Sequence, residues 1–233
     1  EAFEILLVDA ARAQLEREVR PAADGAAVER DCLEPPCGST QKRQRRHERA
    51  VAPDREALED AASQVQLLGR LQIFHERIGD FVESLKYAHR CARVASTIGD
   101  ATAVAAANSL VGLCNHLLGD QPEARRLLEA ALAGSPDSLQ DSSIYSGFDL
   151  RNRARIALAR TLWLQGYPSQ AVVLAQRAVD EARQLDHPVT LCIALIWAVS
   201  VYMWVGDLER AERDIDRFIA YAEAHSLTPY LAV

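Results

Sequence analysis

The sequence predicts an all-α chain built as a stack of antiparallel helix pairs, and three observations predict it. One short signature recurs four times: a glycine, a helix-start residue after it, and a small residue five positions beyond the glycine. The copies are Gly79-Asp80 with Ser84, Gly119-Asp120 with Ala124, Gly166-Tyr167 with Ala171 and Gly206-Asp207 with Ala211. The four glycines follow one another at nearly constant intervals, of 40, 47 and 40 positions, and such a period marks a stacked helical repeat. Apolar residues also recur at three- and four-residue intervals from about Asp54 onward, the pattern of one buried helix face. Lastly, only 11 glycines and 9 prolines interrupt 233 residues in which alanine, leucine, arginine and glutamate dominate, a composition that favours helix.

Taken in order, residues 1–20 read as a helix, part of a truncated repeat, with Phe3, Leu6, Leu7, Ala10, Ala11 and Leu15 on one face and Pro21 as its stop. Residues 21–53 change character: Pro35-Pro36 and Gly38-Ser39-Thr40 are followed by a basic run from Lys42 to Arg49 with almost nothing apolar. Such a stretch buries too little surface to offset the entropy of ordering it. Gly38 stands one repeat period before Gly79, yet the position five beyond it is Arg43. Two readings stay open there, a natural disordered basic linker and a segment corrupted by a shifted reading frame. Residues 54–233 form the repeat domain. Its expected pairs are Ala57–Ile78 with Phe81–Ile98, Ala101–Leu118 with Pro122–Leu132, Leu150–Gln165 with Ser169–Leu185, and Val189–Val205 with Leu208–His225.

Each turn is written locally. The glycine can take the left-handed conformation that ends a helix, and the aspartate after it can cap the next. Glu83 and Glu123, three residues after Asp80 and Asp120, predict reciprocal capping boxes. The connection from Gly134 to Gly147, with Ser-Pro-Asp-Ser and Asp-Ser-Ser in it, supplies the seven extra residues of the middle spacing and is either functional or simply tolerated. The small residue five beyond each glycine belongs early in the second helix, where it approaches the first. The position twelve beyond reads Cys91, Ala131, Ala178 and Phe218, so Phe218 predicts that the last helix packs differently or ends the stack. One pair hides only one of its apolar faces, so a stack is needed.

Several chemistries are argued against. A net charge of −7 and a pI of about 5.4 leave no basic field for non-specific nucleic-acid binding. The run from Lys42 to Arg49 lacks aromatic residues for stacking on bases and reads as a solvated linker. Lys42 and Lys86 both lack the preceding glycine of a phosphate-binding loop, and neither His47-Glu48 nor His75-Glu76 has the second histidine of a zinc-protease helix. Cys32, Cys37 and His47 offer three soft ligands where structural zinc needs four, so no metal and no cofactor is expected. Glu181, Glu209, Glu212, Asp214 and Asp216 read as carboxylates on solvated faces with arginine partners.

Cys91, Cys114 and Cys192 lie in apolar helical stretches, and an odd total of five cysteines fits a reducing, cytoplasmic setting. The apolar run from Leu191 to Val205 falls short of the roughly 20 residues of a membrane span and reads as a buried helix. No signal peptide is visible, the first residue is not methionine, and the chain is read as a segment of a longer protein.

The repeated positions make residues 57 to 229 resemble the tetratricopeptide repeat (TPR) proteins. The family's glycine and two alanines match Gly79/Ser84/Cys91, Gly119/Ala124/Ala131, Gly166/Ala171/Ala178 and Gly206/Ala211/Phe218. The family's small residue seven before the glycine is matched by Gly112 and Ala159 and departs at Gln72 and Val199. Repeats are longer than the family's 34 residues, and the closing prolines, Pro188 and Pro229, come late. The stretch Ala159 to Ala171, followed by Asp186-His187-Pro188, also resembles the C-terminal arrays of bacterial multidomain regulators that carry an ATPase with a winged-helix or cyclase module.

These resemblances imply a right-handed α-solenoid that acts as a protein-interaction or ligand-sensing arm, without catalysis of its own. Its partner would be a protein, a peptide or another domain of the parent chain, with no nucleic acid or membrane contacted. A self-associating scaffold is the alternative, favoured by exposed apolar surface near Phe218, Tyr221 and Tyr230; an enzyme with an unrecognised site is a distant one. Carried over residue by residue, the family's concave surface falls on Leu113, His116 and Leu117, on Arg153, Ile156, Arg160, Trp163 and Leu164, and on Ile193, Ile196, Ser200, Met203 and Trp204. Arg153 and Arg160 are two turns apart on one face. Cationic donors between Trp163 and Trp204 match the composition of interaction hot spots; the competing reading makes Trp163, Met203 and Trp204 core and the arginines solvated.

Overall fold

The computed structural model describes residues 61–98, 100–135 and 148–227. The helix expected over 1–20, the 21–53 stretch with Cys32, Cys37 and His47, the long connection before Gly147, and Tyr230 lie outside the described residues. Within them the chain is all-α, a right-handed α-solenoid of four antiparallel pairs: α1 (Ala61–Arg77) with α2 (Phe81–Ile98), α3 (Ala101–Leu118) with α4 (Gln121–Gly134), α5 (Leu150–Leu164) with α6 (Pro168–Gln184), and α7 (Pro188–Val205) with α8 (Leu208–Ala224). Helix limits agree with the sequence reading to within two residues wherever they are described. Among the first helices, α1 meets α3, α3 meets α5 and α5 meets α7, whereas each second helix packs chiefly on the helices before and after it. The side carrying α1, α3, α5 and α7 is therefore the inner wall of the curve.

The turns follow the repeated signature. Gly79, Gly119, Gly166 and Gly206 take φ of 78°, 93°, 85° and 81°. A side chain at Gly119 would meet no neighbour, so its identity is set by backbone conformation alone. Asp80, Asp120 and Asp207 each accept the N–H three residues on, at 3.1, 3.2 and 3.1 Å. The reciprocal half of the predicted capping boxes does not form. The N–H groups of Asp80 and Asp120 already donate to the carbonyls of His75 and Asn115, both at 2.9 Å. Glu83 and Glu123 turn forward instead, to Lys86 and Arg126.

Ser84, Ala124, Ala171 and Ala211 are all buried, as are Cys91, Ala131, Ala178 and Phe218. Gly112 forms the tightest crossing: a Cβ built there lies 2.8 Å from Leu128 Cγ. In the first pair the departure from the small-residue pattern, Gln72, is met by the hydroxyl of Ser84. Gln72 donates from Nε2 to Ser84 Oγ at 2.9 Å and to Glu76 Oε2 at 3.1 Å, with Cys114 Sγ at 3.3 Å, while Ser84 Oγ donates to the Gln72 carbonyl at 3.0 Å. Two polar side chains thus bond to each other at a contact that elsewhere joins apolar residues.

Three expectations are corrected. Asp214 does not lie on a solvated face; it is buried between Arg217 at 3.0 Å and Arg183 at 3.8 Å, because it falls at the register of the inward-facing Tyr87 and Leu127. Phe218 is buried too, so the exposed apolar side chains of α8 are Leu208, Ile215 and Ile219, with Tyr221 half-buried against His225. Finally, α7 begins at Pro188, and at 18 residues it and α3 are long and apolar enough to cross a membrane. Since 72% of α7 is buried between its neighbours, it serves as the core helix of the stack.

Candidate interaction surface on the inner wall

Heptad spacing on two adjacent helices builds the central feature of the inner wall. Arg153 and Arg160 lie two turns apart on α5, and Trp197 and Trp204 lie two turns apart on α7. Because α5 and α7 pack side by side, the two sets interleave. The Arg153 guanidinium sits 4.7 Å from the Phe148 ring and 5.9 Å from Trp197; that of Arg160 sits 4.5 Å from Trp197 and 5.4 Å from Trp204. Trp204 in turn contacts Trp163 at 4.7 Å, tilted by 34°. The result is an alternating ladder, Phe148, Arg153, Trp197, Arg160, Trp204, Trp163. Each cation held over an indole face contributes about 0.5–2 kcal/mol, more as water is excluded.

The two ends of the ladder differ in burial. Arg153 is buried and paired with Glu76 of α1, whose other oxygen accepts from Gln72. That ion pair reaches across α3, so the first and third pairs are tied directly over the inner wall. At the opposite end Trp163 and Trp204 are half-buried, and Leu164 and Met203 are exposed beside them. His116 of α3 is buried behind the ladder, its Nδ1 3.0 Å from Thr161 Oγ1 and 3.1 Å from Gln121 Oε1, its ring 6.2 Å from Trp197. Burial, and then the positive charge of Arg160, push His116 down to about 4, against the opposing hydrogen bond to Gln121; the imidazole is neutral at pH 7.

The residues singled out from the sequence therefore divide by depth. Leu113, Ile156, Ile193 and Ile196 are core, and Leu117 is half-buried. His116 and Arg153 are polar groups built into the wall, so Arg153 is neither solvated nor an open cation. Ser200 is half-buried, and its hydroxyl donates to the Trp197 carbonyl at 2.6 Å within its own helix. Arg160, Trp163, Met203 and Trp204 come together at the open end.

Sequence reasoning missed Glu76, Trp197 and Phe148. Glu76 stands three residues before its glycine, the register that holds His116, Trp163 and Met203, so strict use of the repeat finds it. Trp197 stands seven before Trp204 as Arg153 does before Arg160, a second legible signal. Phe148 precedes α5 and has no periodic signal.

Other chemistry is sparse among the described residues. No group of three or more histidine, cysteine or acidic side chains is placed to hold a metal ion. Burial pushes the thiols of Cys91 and Cys114 up to about 11 and that of Cys192 up to about 12, which keeps them protonated and unreactive. Arg155 of α5 is buried in an ion pair with Glu181 of α6.

No family model and no curated protein matches the sequence. Solved structures do match, TPR-like repeat proteins among them. A Rap protein complexed with competence and sporulation factor aligns with a TM-score of 0.58 at 15% identity, covering 73% of this chain and 46% of that one. The chain thus spans about half the length of that protein. BtubC (BKLC) from P. vanneervenii aligns with a TM-score of 0.56 at 18% identity over 81% of this chain and 75% of that one. A Podosopora anserina protein described as a kinesin light chain with nearly identical TPR-like repeats aligns with a TM-score of 0.55 at 16% identity, over 97% and 98% of the two chains. The fold is a TPR-like helical repeat.

Proposed function

We propose that the inner wall binds a protein or peptide segment, and that the chain serves as a non-catalytic interaction or sensing arm of a larger bacterial, cytoplasmic signalling or transcriptional regulator. The observation that carries this reading is the open end of the ladder. Arg160 is held between Trp197 and Trp204, and Trp163, Leu164 and Met203 form an apolar ledge beside it. Aromatic anchors, an arginine and a methionine grouped on a concave surface have the composition of an interface centre. The chemistry fits a segment that pairs a bulky apolar side chain with an acidic group. That a TPR-like neighbour is complexed with competence and sporulation factor agrees with this use of the fold.

The test is affinity capture with the intact parent protein, comparing wild type with Trp204→Ala, Arg160→Ala and a convex-face control, Val173→Asp. A partner held by wild type and by the control, but released by both inner-wall variants at unchanged circular dichroism, is the expected result. A partner lost equally with Val173→Asp, or retained by both inner-wall variants, would overturn the reading.

A further inference from the structure

The second helix of the last pair differs from those before it on one face. Nine residues beyond the turn glycine, Ala88, Leu128 and Ala175 are fully buried, whereas Ile215 of α8 is 40% exposed. Thirteen beyond, Val179 of α6 is fully buried and Ile219 of α8 is 41% exposed, while Leu208 at the start of α8 is 64% exposed. At about 3.6 residues per turn these three α8 residues fall within about 40° of one another and form one apolar stripe. The next sector of the helix, roughly 60° wide, holds Glu212, Glu223, Asp216 and Glu209 in that angular order, all exposed.

These four carboxylates are set apart from those of the earlier second helices. Glu83 is paired with Lys86, Glu129 with Arg125, Glu123 with Arg126 and Asp180 with Arg183. Among the described residues no ion pair joins Glu209, Glu212, Asp216 or Glu223 to a basic side chain, because the arginines of α8 turn elsewhere. Arg210 goes to Asp207 at 3.4 Å, Arg217 to the buried Asp214 at 3.0 Å, and Arg213 donates from Nε to the Glu209 carbonyl at 3.4 Å. Glu212 also stands at a contact position. Six residues beyond the glycine, Leu85 and Val172 pack against the core, and the Arg125 guanidinium reaches the Tyr167 ring of the following pair at 5.0 Å. Whatever lies on α8 meets a carboxylate where the earlier junctions have an apolar group or an arginine.

We propose that this face of α8 docks an amphipathic helix of a partner protein, with its apolar side on Leu208, Ile215 and Ile219 and its arginine or lysine side chains on the acidic row. Charge decides the occupant. A helix with basic flanks is drawn to the four carboxylates, which also reject acidic competitors. A second copy is not: in a two-fold antiparallel pairing of α8 with itself, the acidic row falls on the same side of both helices, carboxylate beside carboxylate. An apolar stripe rimmed by charge also stays soluble when uncovered. That is the make-up of an interface that opens and closes, unlike the apolar junctions inside the stack.

The probes are two synthetic helical peptides that share one leucine face, the first flanked by arginine and the second by glutamate. Fluorescence anisotropy follows their titration into the full 233-residue chain, as wild type and with Arg160→Ala to silence the inner wall, alongside light scattering and circular dichroism. The arginine peptide is expected to bind both chains equally as monomers, and more weakly as salt is added. The glutamate peptide should not bind the Arg160→Ala chain. In that background Ile219→Asp should weaken the arginine peptide about tenfold or more, and Ile219→Ala replaces it if the aspartate variant loses helicity. Glu212→Lys/Asp216→Lys should reverse the preference, rejecting the arginine peptide and accepting the glutamate one. Failure of the arginine peptide to bind, equal binding of both peptides to the Arg160→Ala chain, or arginine-peptide binding that survives the charge reversal overturns the proposal. So does loss of that binding with Arg160→Ala alone, which would place the peptide on the inner wall. A dimer that Ile219→Asp dissociates also overturns it, since a second copy would then be the cover.

Discussion

Replacing Gly112 with alanine sets two effects of known sign against each other. In a helix interior, glycine to alanine stabilises by about 1 kcal/mol through backbone entropy. At Gly112 the new methyl would lie 2.8 Å from Leu128 Cγ, 3.1 Å from its Cδ2 and 3.2 Å from Leu127 Cβ. Leu128 is fully buried, so it yields only by displacing its own neighbours. Overpacking of this kind costs about 1–3 kcal/mol, and contacts this short belong to the upper part of that range, so Gly112→Ala should destabilise by about 1–2 kcal/mol net. Gly69, in the same kind of helix, is the control: its added Cβ would meet only Leu110 Cδ1, at an ordinary 3.6 Å, so Gly69→Ala should stabilise by up to about 1 kcal/mol. Urea unfolding of both variants should give midpoints that move in opposite directions at unchanged slope. In a Leu128→Ala background, which leaves only the Leu127 Cβ contact, the cost of Gly112→Ala should fall. If Gly112→Ala stabilises the wild-type chain as Gly69→Ala does, the close crossing at the repeat's small position is wrong.

Other perturbations test the inner wall and the first pair. His116 is held near 4 when folded and returns to its ordinary 6.5 when unfolded, so the unfolded chain takes up the proton first as pH falls. Stability is therefore lost between pH 6.5 and 4, by about 2 kcal/mol on reaching pH 5, and urea unfolding of His116→Gln should lack that share of the slope; an identical slope refutes it. Glu76→Gln should cost about 3–5 kcal/mol by leaving Arg153 buried without its counter-charge. Glu76→Leu with Arg153→Met should recover most of that loss in the same unfolding assay, and a double variant as unstable as the single would argue against the tie between the first and third pairs. Ser84→Ala should cost about 0.5–1.5 kcal/mol by removing one bond of the Gln72 amide, which keeps its bond to Glu76. Adding Gln72→Ala should cost less than the two single changes summed, as a double-mutant cycle would show.

Much of this fold is local and therefore legible in one sequence. A glycine in the left-handed conformation, an aspartate that accepts the N–H three residues on, and a small residue where two helices cross each act within about a dozen positions. Repetition at a nearly constant period then reports them four times. Helix number, pairing and most limits follow from these signals, and so does the placing of Arg160, Trp163, Met203 and Trp204 on one wall.

What local periodicity cannot carry is the rotation of one pair against the next. That stacking angle decides that Arg153 meets Glu76, 77 positions earlier and two pairs away, and so becomes part of the wall. It also decides that guanidinium and indole alternate between α5 and α7, that Asp214 is drawn inside between two arginines, and that Gln72 and Ser84 meet over Cys114. A sequence pattern records which side of a helix is buried. Which partner fills that side is settled only when curved layers close on each other, since the contact depends on distances set by every pair in between.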